Sequence, residues 1–207
     1  MASIEILTLV GGISRKSLNK KLFAAIKELA PQQLVLRTFD ISKLPHFSQD
    51  LEDDPPDSVI KFKDLIRESD AVLLITPEYN RSFPGVLKNA LDWGSRPYGQ
   101  NLWDKKPAGV MGATISSVGT FGAQHHLRQV LAYLNVSVMG QPEFYFTAKN
   151  SFNEDGHLTD EVTKKHIQHY LDAFISWIEK VGNHKLHQSP VLPAPSPKNI
   201  GNTPLPH

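Results

Sequence analysis

Apolar and polar positions along this chain change period again and again, from runs a few residues long to stretches repeating every three or four. Ile4–Val10 is a short apolar run closed by Gly11 and Gly12. Leu18, Leu22, Phe23, Ile26 and Leu29 then recur at helical spacing, with Ser17 as the expected N-cap and Pro31 past the end. Residues 33–39 alternate as a strand does, and residues 40–56 form a loop rich in Pro and Asp. Val59, Ile60, Phe62, Leu65 and Ile66 mark a second amphipathic helix, with Asp57 at its cap. Ala71–Ile75 is apolar throughout, which predicts a strand buried on both faces. A helix over 84–93 follows, with Pro84 in the first turn, where a missing N–H costs nothing. After a loop holding Tyr98 and Trp103, residues 107–113 read as a fourth strand, 114–120 as a loop and 121–134 as a helix. Residues 136–146 contain a fifth strand, broken or extended near Pro142. The last helix spans 160–181, with Ile167, Tyr170, Leu171, Phe174, Ile175 and Ile178 on one face.

Strands and helices thus alternate strictly. Right-handed crossovers convert that alternation into a parallel sheet with helices on both faces. The expected fold is α/β, a three-layer flavodoxin-like sandwich with a five-stranded parallel sheet in the order 2-1-3-4-5. Its switch point lies between strands 1 and 3, where ligands bind in such sheets. Residues 11–17 and 76–83 converge there, flanked by the loop after the fourth strand. One domain is expected over residues 1–182. Residues 183–207 hold six prolines without helical pattern and read as a flexible tail, with a packed arm over a partner subunit as the alternative.

Composition narrows the chemistry. The net charge of +1 supplies no field for nucleic acid or an anionic surface, so neither nucleic acid nor membrane is an expected partner. No apolar stretch approaches the roughly 18 residues that span a bilayer. The N-terminus reads as a strand rather than a signal peptide, and a cytoplasmic address follows by default. The absence of cysteine excludes disulfides, thiol nucleophiles and Cys-ligated metal centres. Any redox chemistry therefore needs an organic cofactor.

Two loops carry candidate chemistry. In LTLVGGISRKSLNKKL a glycine turn leads into a helix start, whose free N–H groups attract an anion. Ser14, Ser17 and Asn19 add donors, and Arg15 or Lys16 adds charge. Neither GxxxxGK[ST] nor GxGxxG occurs, so a single phosphate fits better than a nucleoside triphosphate or a dinucleotide. An ordinary capped helix after a glycine turn is the plainer alternative. In TPEYNRSFPGVLKNALDW, Glu78, Tyr79 and Asn80 can bond one edge of a flat polar heterocycle and cover its face. Glu78 has an equally good structural reading, as an acceptor for its own loop's N–H groups. Ser82 tightens the loop, Leu87, Ala90, Leu91 and Trp93 belong to core or interface, and Asp92 and Arg96 are placed to pair. Arg128 reads as an interface or salt-bridge residue. His125 and His126 splay about 100° apart on a helix, and His166 and His169 lack a third ligand, so no metal site is expected.

These segments resemble the NADPH-dependent FMN reductase family, which includes quinone, chromate and azo-dye reductases. PEYNRSFPGVLKNALDWGSRP, residues 77–97, is similar to the family's PEYN-x-S-x-PG-x-LKNA-x-DW. GAQHHLRQVLAYLNV, residues 122–136, and the first loop are further matches, and the likeness covers about residues 3–181. It implies bound FMN, with the phosphate at Gly12, Ser14, Arg15, Ser17, Leu18 and Asn19. It places Pro77, Glu78, Tyr79, Asn80 and Ser82 against the isoalloxazine and ribityl chain, and Ala113, Thr114 and Ser116 around the ring. Where many members begin the phosphate loop Gly-Ser-x-Arg, this chain has Gly11-Gly12-Ile13-Ser14, and Arg15 lies one place later. Thr114-Ile115-Ser116-Ser117 stands where the family is often glycine-rich.

The resemblance implies electron transfer from NADPH or NADH through FMN to quinones or similar acceptors, chromate, azo dye, ferric chelate or free flavin among them, by ping-pong turnover. FMN carries the chemistry, and no side chain is expected to be catalytic. An electron carrier of the flavodoxin type without NAD(P)H turnover is the alternative, although such carriers are usually strongly acidic. A homodimer or homotetramer is implied. Phe83, Val86, Trp93, Tyr98 and Trp103 support it, as more apolar surface than one small helix needs.

Overall fold

The computed structural model of the chain describes residues 3–182, so the expected tail lies outside the described residues. Strands β1 (Ile4–Val10), β2 (Leu34–Thr38), β3 (Ala71–Ile75), β4 (Pro107–Thr114) and β5 (Ser137–Val138) are parallel, in the order β2-β1-β3-β4-β5. Ile6 of β1 lies opposite Ala71 of β3, and Val72 of β3 opposite Ala108 of β4. β3 is buried at all positions, which its unbroken apolarity demands of a central parallel strand.

The fifth strand is two pieces. β5 (Ser137–Val138) pairs with the start of β4, and β6 (Tyr145–Thr147) with its end. Pro142 lies between them, with no N–H to give a ladder.

Helices α1 (Leu18–Leu29) and α5 (Glu161–Gly182) cover one face of the sheet around Ile6, Leu73, Met111 and Phe174. Helices α2 (Asp57–Glu68), α3 (Gly85–Gly94) and α4 (Phe121–Tyr133) cover the other around Leu7, Leu74, Trp93 and Val110. Each buried Leu or Phe contributes on the order of 2 kcal/mol.

Several local expectations change. Pro56, not Asp57, stands at the N-cap of α2 and makes no side-chain bond, because Asp57 is already helical. Pro84 likewise sits at the N-cap of α3, one place outside the first turn. Phe83, Trp93 and Trp103 fill the chain's own core, leaving only Tyr98 of that aromatic stretch strongly exposed. Among the described residues no helix is long and apolar enough to cross a membrane.

Candidate functional site

The C-terminal ends of β1, β3 and β4 open onto one crevice, framed by residues 11–17, 76–83 and 113–120. In the first loop Gly11 donates to the Ile75 carbonyl (2.8 Å), which binds it to the end of β3. A Cβ on Gly12 would collide with Ser17 Oγ, so the chain needs glycine to fold this close to the start of α1. Ser17 is the N-cap, and its carbonyl and hydroxyl both take the Lys20 N–H. The N–H groups of Leu18 and Asn19 stand in the first helical turn, beyond reach of any intrahelical carbonyl. They point out of the positive end of the helix, beside the exposed Ser14, Arg15 and Lys16. Lys20 Nζ donates to the Ile13 carbonyl (2.9 Å) and braces the loop from behind.

The Asn19 side chain does something else. It is 2% exposed; its Nδ2 donates to the Ala113 carbonyl (3.0 Å) and its Oδ1 accepts from the Ala113 N–H (2.9 Å). Oδ1 and one of the two Nδ2 hydrogens are thus committed to Ala113, and the side chain is buried there. The side chain instead fixes the end of β4 against α1. Asn19, Leu22 and Ile26 share a helical face, a spacing that marks Asn19 as inward-pointing.

The second loop is a tight hairpin. Tyr79 and Ser82 exchange backbone bonds of 2.9 and 3.0 Å. Asn80 and Arg81 between them have φ of 50° and 64°, the geometry of a type I′ turn. Asn tolerates that region and Arg does not favour it, so the turn holds strain at its tip. Two ties to α4 hold the strained turn. Glu78 Oε2 accepts from the Ala123 N–H (3.1 Å) at the positive end of α4, while Oε1 pairs with Arg81 (3.2 Å). Ser82 Oγ lies 2.8 Å from His126 Nδ1, and the His126 ring meets Phe83 edge-on at 5.2 Å. The Glu78 carboxylate, with its side chain 8% exposed, thus ties its own loop, through the Arg81 side chain, to a different helix, through the Ala123 N–H. Tyr79 is left 54% exposed beside the crevice.

The third wall is Ala113, Thr114 and Ser116, with Thr114 Oγ1 accepting from the Ser116 N–H (3.2 Å). β6 supports it from behind: Ala148 donates to the Thr114 carbonyl (2.7 Å) and Thr147 Oγ1 to the Ser116 carbonyl (3.0 Å).

Other side chains take different partners from those expected. Asp92 pairs with Lys88 (2.7 Å) and Arg96 with Glu52 (2.7 Å), so the Asp92–Arg96 pair does not form. Arg128 makes no salt bridge among the described residues; it donates to the Met139 carbonyl (2.9 Å) beside the break in the fifth strand. His125 and His126 point apart, to Tyr145 and to Ser82. Among the described residues no three His, Asp or Glu side chains are grouped to hold a metal. Sequence reasoning did not single out Ala123 or Tyr145. A helix starting two residues before Ala123, just after a loop, was the available signal.

A family model for NADPH-dependent FMN reductase matches residues 4–151. The chain belongs to that family. It is 43% identical over 177 residues to a 2-hydroxy-1,4-benzoquinone reductase of Burkholderia sp., covering 85% of this chain and 97% of that one. It is 43% identical over 176 residues to a quinone reductase of Pseudomonas putida, covering 84% and 95%. Among solved structures it is similar to FerB, a flavoenzyme NAD(P)H:(acceptor) oxidoreductase from Paracoccus denitrificans. The TM-score there is 0.82, with 44% identity over 86% of this chain and 98% of that one. The chain is accordingly an FMN-dependent NAD(P)H reductase with a flavodoxin-like fold.

The residues present fit FMN. Gly12 lets the first loop lie against Ser17 at the start of α1, where the Leu18 and Asn19 N–H groups are open to a phosphate, and the strained hairpin carries the half-exposed ring of Tyr79. Ala113, Thr114 and Ser116 add small side chains and backbone groups at the third loop.

Proposed function

We propose that the chain passes electrons from NADPH or NADH to quinones, or to acceptors of similar size and potential. The N–H groups of Leu18 and Asn19, with Ser14 and Ser17, would hold the phosphate of FMN, Gly12 giving the clearance and Arg15 the charge. Pro77, Tyr79, Asn80 and Ser82, positioned by Glu78, would border its ring, with Ala113, Thr114 and Ser116 on the third loop. The observation that carries this reading is the joint geometry of the two switch-point loops: an open helix start and a strained turn presenting a half-exposed tyrosine across one crevice. The names of the similar proteins support a quinone as acceptor.

When bound, FMN supplies the hydride and electron chemistry. The chain's part is to hold donor and acceptor in turn at one open face. Tyr79 and the hairpin limit that face to one flat partner at a time, so nicotinamide leaves before the acceptor enters, and turnover is ping-pong. A homodimer, or a pair of dimers, working in the cytoplasm completes the reading. Anaerobic mixing with NADPH tests it: the flavin absorbance should bleach within the turnover time, and quinone should restore it. Double-reciprocal plots should be parallel. Intersecting lines would require a ternary complex, and absence of bleaching would leave an electron carrier.

A further inference from the structure

The loops that frame the crevice carry apolar side chains that the reading above does not use. Val10 of β1, Ile75 of β3 and Met111 of β4 lie in one row across the sheet. Ile13, Tyr79 and Ile115 stand three, four and four residues beyond that row, one on each crevice loop. β1 and β4 flank β3, so the two outer loops leave the sheet about 10 Å apart. Ile13 is 47% exposed, Tyr79 54% and Ile115 75%. A single exposed apolar side chain is ordinary, but a group of them at one end of a sheet marks a contact surface. Val118, also on the third loop, is exposed as well. Four of the ten large apolar side chains most exposed among the described residues therefore belong to these three loops.

Each of the three stands on a braced backbone. Lys20 Nζ donates to the Ile13 carbonyl (2.9 Å), and Tyr79 is paired with Ser82 across the hairpin. Ile115 lies between Thr114 and Ser116, whose carbonyls accept from the Ala148 N–H and from Thr147 Oγ1. A backbone held in advance adds little ordering cost when a ligand covers these side chains. Charge around them is sparse. Residues 114–120 include no charged side chain. Glu78 and Arg81 pair with each other, and Arg15 and Lys16 stand beside the helix start assigned to phosphate. A neutral apolar group suits this surface better than an ion.

We propose that Ile13, Tyr79 and Ile115 form a collar that receives an alkyl substituent of the quinone, so that the preferred acceptor is an alkylated quinone rather than a bare ring. This rests on the function proposed above. The reaction itself is unaltered: NAD(P)H supplies a hydride equivalent through FMN, solvent supplies one proton, and the quinone leaves as hydroquinone with its alkyl chain untouched. The collar contributes burial. Each CH2 moved from water onto it strengthens capture of the acceptor by up to about fourfold. The contacts of the alkyl chain are the same before and during reduction of the ring, so the gain belongs to KM rather than to kcat.

The test is turnover of the holoenzyme at saturating NADPH with 1,4-benzoquinones bearing a methyl, propyl or pentyl substituent, rings of similar potential. Wild type should gain at least about tenfold in kcat/KM from methyl to pentyl, through KM. Ile115→Ser and Ile13→Ser should each lower that pentyl-to-methyl ratio by at least about threefold, and the double variant should abolish the gain. The readout is a ratio within one protein, so incomplete loading with flavin cancels. Ile60→Ser removes another exposed apolar side chain, on α2, and should leave the ratio unchanged. A flat series in active wild type overturns the collar. So does a double variant that keeps the full gain, or an Ile60→Ser variant that loses it. Failure of every quinone to turn over would instead overturn the underlying function, and the collar with it.

Discussion

The two loops at the switch point are held by opposite means. Residues 11–19 are shaped by the backbone: a glycine packed against the Ser17 side chain, a capped helix start, and N–H groups left open. The polar side chains there, Ser14, Arg15 and Lys16, are exposed. Residues 77–83 are shaped by side chains: Glu78 and Ser82 reach α4 and hold a turn that its own residues disfavour. A backbone site tolerates changes in its side chains but not in its clearance. A side-chain site fails when an anchor is lost, although the chain still folds. The first loop suits an invariant group such as phosphate, and the second suits a ring whose surroundings must be tuned.

The largest effect should come from clearance. Gly12→Val forces the first loop off the helix start, and FMN affinity should fall by more than about a hundredfold while far-UV dichroism is kept. Fluorescence titration reads this directly. Next is Asn19→Ala, which strands both polar groups of Ala113 in the interior. The cost should be about 2–4 kcal/mol, visible as a lower denaturant midpoint at unchanged slope. If Asn19 instead bound phosphate through its side chain, affinity would drop and stability would not.

Glu78→Ala should be milder. It frees the Ala123 N–H and the hairpin together, for about 1–2 kcal/mol of stability and a roughly tenfold weaker flavin complex. Glu78→Gln keeps an acceptor and should recover most of the loss; a flavin contact dependent on charge would not be rescued. Arg15→Ala should be smallest, at about twofold in FMN affinity, because an exposed charge is screened. A tenfold loss at Arg15 would move the first loop into the side-chain class and break the contrast.

How far the chain could be read follows the same division. Backbone periodicity located β3 to the residue, the Ser17 cap and the parallel order, since these depend on local pattern and connection rules. Contacts between distant elements were hidden. Nothing near Glu78 indicates that its partner is 45 residues on, and Arg81 gives no sign of a positive φ. Asn19 was legible in part, because its spacing to Leu22 and Ile26 turns it inward, but its residue type suggested a ligand. The fifth strand was expected to falter near Pro142. That it resumes at Tyr145 depends on pairing with Gly112, which no local pattern records.

The central claim is that backbone N–H groups at the start of α1 hold a phosphate whose ring lies against the Tyr79 hairpin. Calorimetric titration of apoprotein with FMN and, separately, with riboflavin tests it most directly, since the ligands differ only in that group. The account predicts FMN binding tighter by at least about a hundredfold, with the difference lost in Gly12→Val. Equal affinities in the wild type would contradict it.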